Sequence, residues 1–147
     1  MIKKLLLISI IILFANSITE YKLEHRVNKI KLSENNIEFC LTMLRVKYTD
    51  VVIAQLMNES GNLKSGLCRK NNNLFGMTVP HKRKTTAINK IGYAKYNNWI
   101  ESIIDYKYYQ DFIFKHHKIK TRKDYITCIC KNYAQSENYE KMIRESI

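Results

Sequence analysis

Apolar residues recur at three- and four-residue intervals along most of the chain, and this spacing predicts helices. Ser33 can cap a first helix that runs to about Val46. Residues 98–101 and 121–124 each have the form of a capping box, in which a side chain that can accept a hydrogen bond is followed three residues later by an acid. Each predicts the start of another helix, and a last helix follows Ser136. The pattern indicates five or six helices in all.

One of these stretches differs from the others because it has no polar face. It begins where Thr49 or Asp50 can cap a helix, and it is apolar on nearly every side from residue 51 to residue 57. Gly61 supplies a residue that readily takes the left-handed conformation at a helix end. We therefore predict a buried central helix that ends near residue 60.

Residues 73–96 carry the only strand signal of the chain. Pro80 marks a turn, β-branched residues follow at 85, 86 and 88, and Gly92 precedes two tyrosines. These features predict one small β-hairpin. The expected fold class is mainly α (α+β), with helices dominating.

The N-terminus has the pattern of a secretory signal peptide at residues 1–17. Lys3 and Lys4 precede an apolar run over residues 5–15, and a small-x-small cleavage pattern follows at 15–17. At about 1.5 Å per residue, that run reaches only about half of a roughly 30 Å hydrocarbon core. We expect an exported protein, periplasmic or secreted, with no stable membrane anchor after cleavage. Residues 18–32 form a charged leader, and residues 33–147 suit a single domain.

The formal net charge is +12 at pH 7, which favours an anionic polymer as the partner: cell wall, membrane surface or nucleic acid. Because we expect export, nucleic acid is the least expected partner of the three, and we predict no binding to nucleic acid. No Asp or Glu occurs from Ser60 to Ile100. The basic residues of that stretch are Lys64, Arg69, Lys70, Lys82, Arg83, Lys84, Lys90 and Lys95. A solvated basic face is the alternative explanation, and the HKRK sequence at 81–84 also fits a nucleic-acid patch.

Cysteine and histidine do not point to a metal. The four cysteines permit disulfides in an exported chain, with three possible pairings, and they equally fit small buried apolar residues. Cys128 and Cys130 are two apart on a predicted helix, so they should not pair with each other. The histidines lack metal-ligand spacing. We predict no metal and no cofactor.

Glu59 is the candidate for chemistry. It lies at the C-terminal end of the predicted central helix, where the helix dipole and a low-dielectric setting both raise the pKa of a carboxyl group. A carboxylic acid that stays protonated near neutral pH is what a glycosidase needs to protonate its leaving oxygen. The alternative is a solvated glutamate at a frayed helix end.

Several short motifs surround Glu59 in a fixed order. They are Gln55-x-x-x-Glu59-Ser60-Gly61, Lys64-Ser65, Asn73-Leu74-Phe75-Gly76, Tyr93-Ala94-x-Tyr96-x-x-Trp99-x-x-Ser102-Ile103, Tyr133-Ala134 and Asn138-Tyr139. In this order and spacing, the chain from about residue 36 onward resembles the glucosaminidase family, glycoside hydrolase family 73, of the lysozyme-like superfamily. The resemblance implies a lysozyme-like helical domain whose hairpin flanks the active-site cleft.

The resemblance also implies roles for individual residues. Glu59 would be the general acid, and Tyr133 would lie near the acetamido group of the reacting sugar. The predicted substrate-binding residues are Gln55, Ser60, Asn73, Phe75, Tyr93 and Tyr96. Each role has a plainer alternative: a turn residue for Asn73, core aromatics for Phe75 and Trp99, and a helix-packing residue for Tyr133.

Many members of the family place a second carboxylate on the hairpin, and this chain has none there. Glu101 and Asp105 are the nearest acids downstream, and we interpret both as structural. A substrate-assisted mechanism, in which the substrate's own N-acetyl group attacks the anomeric carbon, needs no second carboxylate.

The predicted function is an endo-β-N-acetylglucosaminidase that cleaves the glycan strands of peptidoglycan. The alternatives are an N-acetylmuramidase, which would cut the other linkage, and a catalytically inactive wall-binding module. A membrane-disrupting protein would need an exposed amphipathic helix.

Overall fold

The computed structural model describes residues 30–133 and 138–147, without the side chains of residues 132 and 133. These residues form six α-helices and no β-strand. The helices are α1 (Glu34–Met43), α2 (Thr49–Glu59), α3 (Gly66–Asn71), α4 (Trp99–His116), α5 (Arg122–Tyr133) and α6 (Tyr139–Glu145). The predicted signal peptide and residues 18–29 of the predicted leader lie outside the described residues.

Three of the predicted helix starts are confirmed by their side-chain caps. The Ser33 hydroxyl accepts a hydrogen bond from the Asn36 amide at 3.4 Å. At α4, Asn98 Oδ1 accepts from the Glu101 amide at 3.1 Å. At α5, the Thr121 hydroxyl accepts from the Asp124 amide at 3.1 Å. Each cap satisfies an amide that has no partner inside its helix.

The start of α2 differs from the prediction. Its N-cap is Tyr48, which has a left-handed backbone with a φ of 55° and no side-chain capping bond. Thr49 is already the first helical residue, and its hydroxyl donates to the Val46 carbonyl at 3.1 Å instead. Neither Thr49 nor Asp50 is therefore the cap.

The sequence pattern also missed α3, a helix of 6 residues. Ser65 caps it by accepting a hydrogen bond from the Cys68 amide at 3.2 Å, and Asn72 ends it with a φ of 53°. The helix is too short to show apolar periodicity, and its glycine is a poor helix former. The Ser65 cap was the one local signal available.

The predicted central helix is confirmed, since α2 contacts both α1 and α6 and buries most of its apolar residues. The core continues along one side of α4, where Trp99, Ile103 and Tyr106 are buried. The Trp99 indole also donates to the Ile30 carbonyl at 3.2 Å, which fixes the chain just before α1. The helix that ends in Glu59 is therefore held by contacts with its neighbours.

The predicted β-hairpin at residues 73–96 is wrong. Within that range the structure has one isolated antiparallel bridge, between Thr78 and Tyr93, and no ladder. The Asn73 side chain takes two backbone groups that would bond to each other in a ladder: its Oδ1 accepts from the Met77 amide at 3.0 Å, and its Nδ2 donates to the Ala94 carbonyl at 2.9 Å. Pro80 removes a donor on the other side of the bridge.

Residues 83–96 of this loop are attached to α4 instead of to a partner strand. Arg83 donates to both carboxylate oxygens of Asp105, at 2.7 and 3.2 Å, and the Arg83 side chain is only 8% exposed. Tyr96 also donates to Asp105, at 2.7 Å. A side-chain clamp therefore holds the loop over α4.

All four cysteines lie in the described residues, and Cys40, Cys68 and Cys130 are free thiols. Cys40 and Cys68 are buried, and burial raises the pKa of the Cys40 thiol to about 11. They pack as small apolar residues, which is the second of the two interpretations of the cysteines. No helix in residues 30–133 or 138–147 has the length and apolar character needed to cross a bilayer.

Candidate active site

Glu59 is the last residue of α2 and is half-buried. The chain turns sharply after it, because Gly61 has a φ of +55° and the Ser60 hydroxyl accepts a hydrogen bond from the Leu63 amide at 2.9 Å. Ser60 itself is fully buried. The carboxyl group therefore projects from a rigid, well-capped helix end.

Two other segments enclose the Glu59 carboxyl group. The Tyr139 hydroxyl, at the start of α6, donates to Glu59 Oε1 at 2.9 Å. Gly76, on the loop, borders the other oxygen: a Cβ atom at Gly76 would lie 3.3 Å from Glu59 Oε2. Gly76 has a φ of +63°, so both its conformation and its neighbour favour glycine.

Burial is the larger influence on Glu59, and it raises the pKa of the carboxyl group, whereas the hydrogen bond from Tyr139 lowers it. The net shift is upward from the ordinary value of 4.5. The pKa of Tyr139 is also raised, by burial first and then by the charge of Glu59. Tyr139 thus remains a neutral donor, and Glu59 retains its proton at higher pH than an exposed glutamate does.

A chain of buried hydrogen bonds lies behind this pair, which we call the buried polar chain: Gln110, Tyr125, Tyr106 and Gln55. Gln110 Nε2 donates to the Tyr125 hydroxyl at 2.9 Å, the two tyrosine hydroxyls are 2.8 Å apart, and Tyr106 donates to Gln55 Oε1 at 2.6 Å. Since the Tyr106 proton is used on Gln55, Tyr125 must donate to Tyr106. Every donor in the chain therefore points toward Gln55.

The orientation of Gln55 follows from this direction. Its carbonyl oxygen is held by Tyr106, so its amide nitrogen must face the other way. Gln55 lies close enough to Tyr139 to lower the pKa of that hydroxyl, but Gln55 Nε2 has no partner at hydrogen-bonding distance among the described residues. Gln55 Nε2 is therefore a buried donor on the side of the residue that neighbours Tyr139.

Five of the six predicted substrate-binding residues are buried at 1% exposure or less. They are Gln55, Ser60, Asn73, Phe75 and Tyr96. The ring of Phe75 stacks on Tyr106 at 4.0 Å between centroids, and both Phe75 and Trp99 belong to the core. These five side chains are therefore not exposed at the surface. Tyr93, the sixth, is 56% exposed and is available to a ligand.

The Tyr133 side chain lies outside the described part of the structure, so its predicted role stays a prediction. Among the described side chains, Tyr139 is the tyrosine that contacts Glu59, and the sequence analysis gave it no role. The Asn138-Tyr139 motif was the available signal, since it belongs to the family pattern.

Neither nearby downstream acid is available as a second catalytic carboxylate. The Asp105 side chain is fully buried and is bound by Arg83 and Tyr96. Glu101 accepts a hydrogen bond from the Asn97 amide at 2.9 Å, as part of the α4 cap. Both residues have the structural roles expected from the sequence.

Seven of the eight basic residues in the stretch after Glu59 are exposed, and Arg83 is the exception. Arg83 is paired with Asp105, so its charge does not contribute to an uncompensated basic surface. Lys84 lies over the Tyr108 ring at 4.3 Å. Exposed positions are Lys64, Arg69, Lys70, Lys82, Lys84, Lys90 and Lys95.

Two cavities of the described residues do not include Glu59 in their linings. One of about 440 Å³ lies where α2 meets α6 and is lined by Asn58 and Met142, among others. Another of about 430 Å³ lies between the loop and α4, against Pro80 and Phe112. Within the part of the chain that is described, no group of three or more His, Cys, Asp or Glu side chains is arranged to hold a metal ion.

A partly buried carboxyl group at the end of a packed helix suits general acid catalysis, because it keeps its proton at higher pH than an exposed carboxyl group does. The family model for glucosaminidase, described as mannosyl-glycoprotein endo-beta-N-acetylglucosaminidase, matches residues 42–147. The chain therefore belongs to the glucosaminidase family, glycoside hydrolase family 73. Comparison with curated proteins gave no match, and neither did comparison with solved structures.

Proposed function

We propose that this protein is an exported endo-β-N-acetylglucosaminidase that hydrolyses the glycan strands of peptidoglycan, with Glu59 as the general acid. The observation that carries the proposal is the setting of Glu59. It is half-buried, its pKa is raised, and it lies between Tyr139 and Gly76 at the end of the central helix. Such an acid is protonated when the glycosidic oxygen needs a proton.

In the proposed mechanism, Glu59 protonates the leaving oxygen while the N-acetyl group of the substrate attacks the anomeric carbon. The described residues support this route because Asp105 and Glu101 are both engaged in structural contacts. Tyr133 remains our candidate for steadying the acetamide, while Tyr139 adjusts the acidity of Glu59. Neighbouring-group participation retains the anomeric configuration. Proton NMR of the first-formed anomer tests the route, and an inverted product contradicts it.

The substrate class is supported by charge. Peptidoglycan carries lactyl and peptide carboxylates, whereas the mannosyl-glycoprotein glycans in the family description lack that dense anionic character. The stretch that follows Glu59 exposes six lysines and Arg69 and contains no acid from residue 60 to residue 100. Electrostatic attraction of this kind raises the local concentration of an anionic strand.

Mass analysis of fragments released from purified peptidoglycan, after borohydride reduction, tests the proposal. We expect fragments reduced at N-acetylglucosamine from the wild-type protein and none from Glu59→Gln. Reduction at N-acetylmuramic acid would instead identify a muramidase. Wall binding without fragments from either protein would identify an inactive binding module, and cleavage confined to a mannosyl-glycoprotein would overturn the substrate assignment.

A further inference from the structure

The loop that borders Glu59 also presents large apolar side chains to solvent. Residues 88–95, which we call the Ile91 turn, expose 79% of Ile91 and 53% of Ile88. Most large aliphatic side chains of the described residues are buried, so an isoleucine this exposed is unusual within the molecule. Ile88 and Ile91 lie three residues apart on one short turn, and contiguous apolar exposure marks a protein or membrane interaction site.

Hydrogen bonds hold the Ile91 turn in a defined shape. The Asn89 side chain donates to the Ile91 and Tyr93 carbonyls, each at 2.8 Å, and accepts from the Lys95 amide at 2.8 Å. The Ile88 amide donates to the Lys95 carbonyl at 2.8 Å and closes the base of the turn. The apex is therefore preorganised, which reduces the entropy lost on binding.

Positive charge surrounds this apolar apex. Lys90 and Lys95 lie within the turn, both are exposed, and the turn has no acidic residue. Exposed Lys82 lies on the same loop. Apolar side chains that enter the headgroup boundary, flanked by lysines that attract anionic lipid, are the two components of interfacial membrane binding.

The two isoleucines of the apex suit a bilayer better than a sugar strand, although Tyr93 in the same turn is exposed and stays a predicted substrate-binding residue. Isoleucine offers neither a hydrogen-bonding group nor an aromatic face for a sugar, whereas transfer of its side chain into a lipid boundary is favourable in proportion to the apolar area buried. We propose that the Ile91 turn inserts Ile88 and Ile91 into the surface of an anionic bilayer while Lys90 and Lys95 contact lipid phosphates. This is peripheral contact by a turn, and it needs no amphipathic helix.

The contact has a consequence for the site. The loop that carries the Ile91 turn begins beside Glu59, at Gly76. A bilayer beneath the turn therefore fixes the orientation of Glu59 relative to the membrane surface. The proposal itself does not depend on catalysis, because binding to lipid is measured without any glycan.

Site-specific fluorescence quenching tests the insertion. The chain has one tryptophan, and this residue, Trp99, is buried, so Ile91→Trp adds a reporter at the apex. With vesicles of phosphatidylglycerol and bromine-labelled phosphatidylcholine, we expect quenching of Ile91→Trp beyond the wild-type background. Phe39→Trp on α1 replaces another exposed apolar residue and should show none. The apolar run at residues 5–15 is common to all variants, so the difference between positions 91 and 39 decides. Equal quenching, or none at position 91, overturns the proposal.

Vesicle partitioning supplies the second measurement. Lys90→Ser should weaken binding to the anionic vesicles about fivefold, the equivalent of about 1 kcal/mol per lysine, and Ile91→Ser should weaken it about tenfold. Ile91→Ser should still cleave soluble glycan fragments, which separates this proposal from the proposed function. Unchanged partitioning, a defect that appears only on lipid-free peptidoglycan, or loss of self-association instead of lipid binding would each contradict the proposal.

Discussion

The Tyr139 hydroxyl donates a hydrogen bond to Glu59 Oε1 at 2.9 Å, and this contact joins the start of α6 to the end of α2. The two residues are 80 positions apart in the chain. The bond favours the charged form of Glu59, while burial favours the neutral form and is the stronger influence. The acidity of Glu59 is therefore set by a balance that single substitutions can shift.

Removing the hydroxyl should shift that balance toward the neutral acid. In Tyr139→Phe the influence that lowers the Glu59 pKa is lost, so the pKa rises further. A general acid must be protonated, and the alkaline limb of the kcat/KM profile should therefore move to higher pH. An unmoved limb, or one shifted to lower pH, contradicts this account of Glu59. We expect the loss of the bond to cost about 0.5–1.5 kcal/mol of stability.

Glu59 should also make stability depend on pH. Its folded pKa is raised above the ordinary value of 4.5, so the native state binds the proton more tightly than the unfolded state does. Stability associated with this group is thus present below about pH 4.5 and is lost as pH rises through the folded pKa. We expect Glu59→Gln to raise Tm at pH 7 relative to the wild type and to lose that advantage near pH 4. An equal difference in Tm at both pH values would argue against a raised pKa.

Gly76 and Gly92 form a matched pair for testing the contact with Glu59. Both have positive φ, +63° and +74°, but only a Cβ at Gly76 would meet Glu59 Oε2, since nothing lies within 4 Å at Gly92. Alanine at either position should cost about 1–2 kcal/mol from the backbone alone. Only Gly76→Ala should also change the pH profile of hydrolysis. Identical profiles for the two variants would show that Gly76 does not shape the acid.

The buried polar chain should influence the reaction through Gln55 and Tyr139. Tyr106→Phe removes the donor that holds Gln55 Oε1, so the Gln55 amide loses its fixed orientation. We expect a lower kcat and a displaced alkaline limb, together with about 1–3 kcal/mol of destabilisation. Ile129→Val, a buried change on α5 outside this chain, should lower stability without moving the limb. If both variants behave alike, the chain is only structural.

The Arg83–Asp105 pair should account for much of the loop's attachment to α4. Both side chains are nearly or fully buried, so Arg83→Met leaves a buried carboxylate without its cation and should cost about 3–5 kcal/mol. Asp105→Asn in the same chain removes that charge and should recover part of the loss, because the asparagine side chain retains an acceptor for Tyr96. Urea denaturation of the single and double variants measures the coupling, and additive losses would exclude it.

The sequence predicted three helices from their local caps, but it missed the short helix α3, which Ser65 caps locally, and it missed features that depend on distant partners. Ser33 and the two capping boxes act over three residues, so their patterns are visible in the chain. The hairpin failed because Asn73 and Arg83 take over the loop through contacts with Ala94 and Asp105, 21 and 22 residues away. The resemblance to the family singled out Glu59, whereas the contact with Tyr139 required the folded structure.

The rate at which reducing ends are released from purified peptidoglycan by Glu59→Gln tests the central claim most directly. The glutamine side chain keeps the size of the original and an acceptor for Tyr139, but it has no acidic proton to donate to a leaving oxygen. We predict a rate about 100- to 10,000-fold below that of the wild type. Glu101→Gln, the same change at a helix cap, should stay near the wild-type rate at a temperature where both variants are folded. A Glu59→Gln rate close to that of the wild type would contradict the assignment of Glu59 as the catalytic acid.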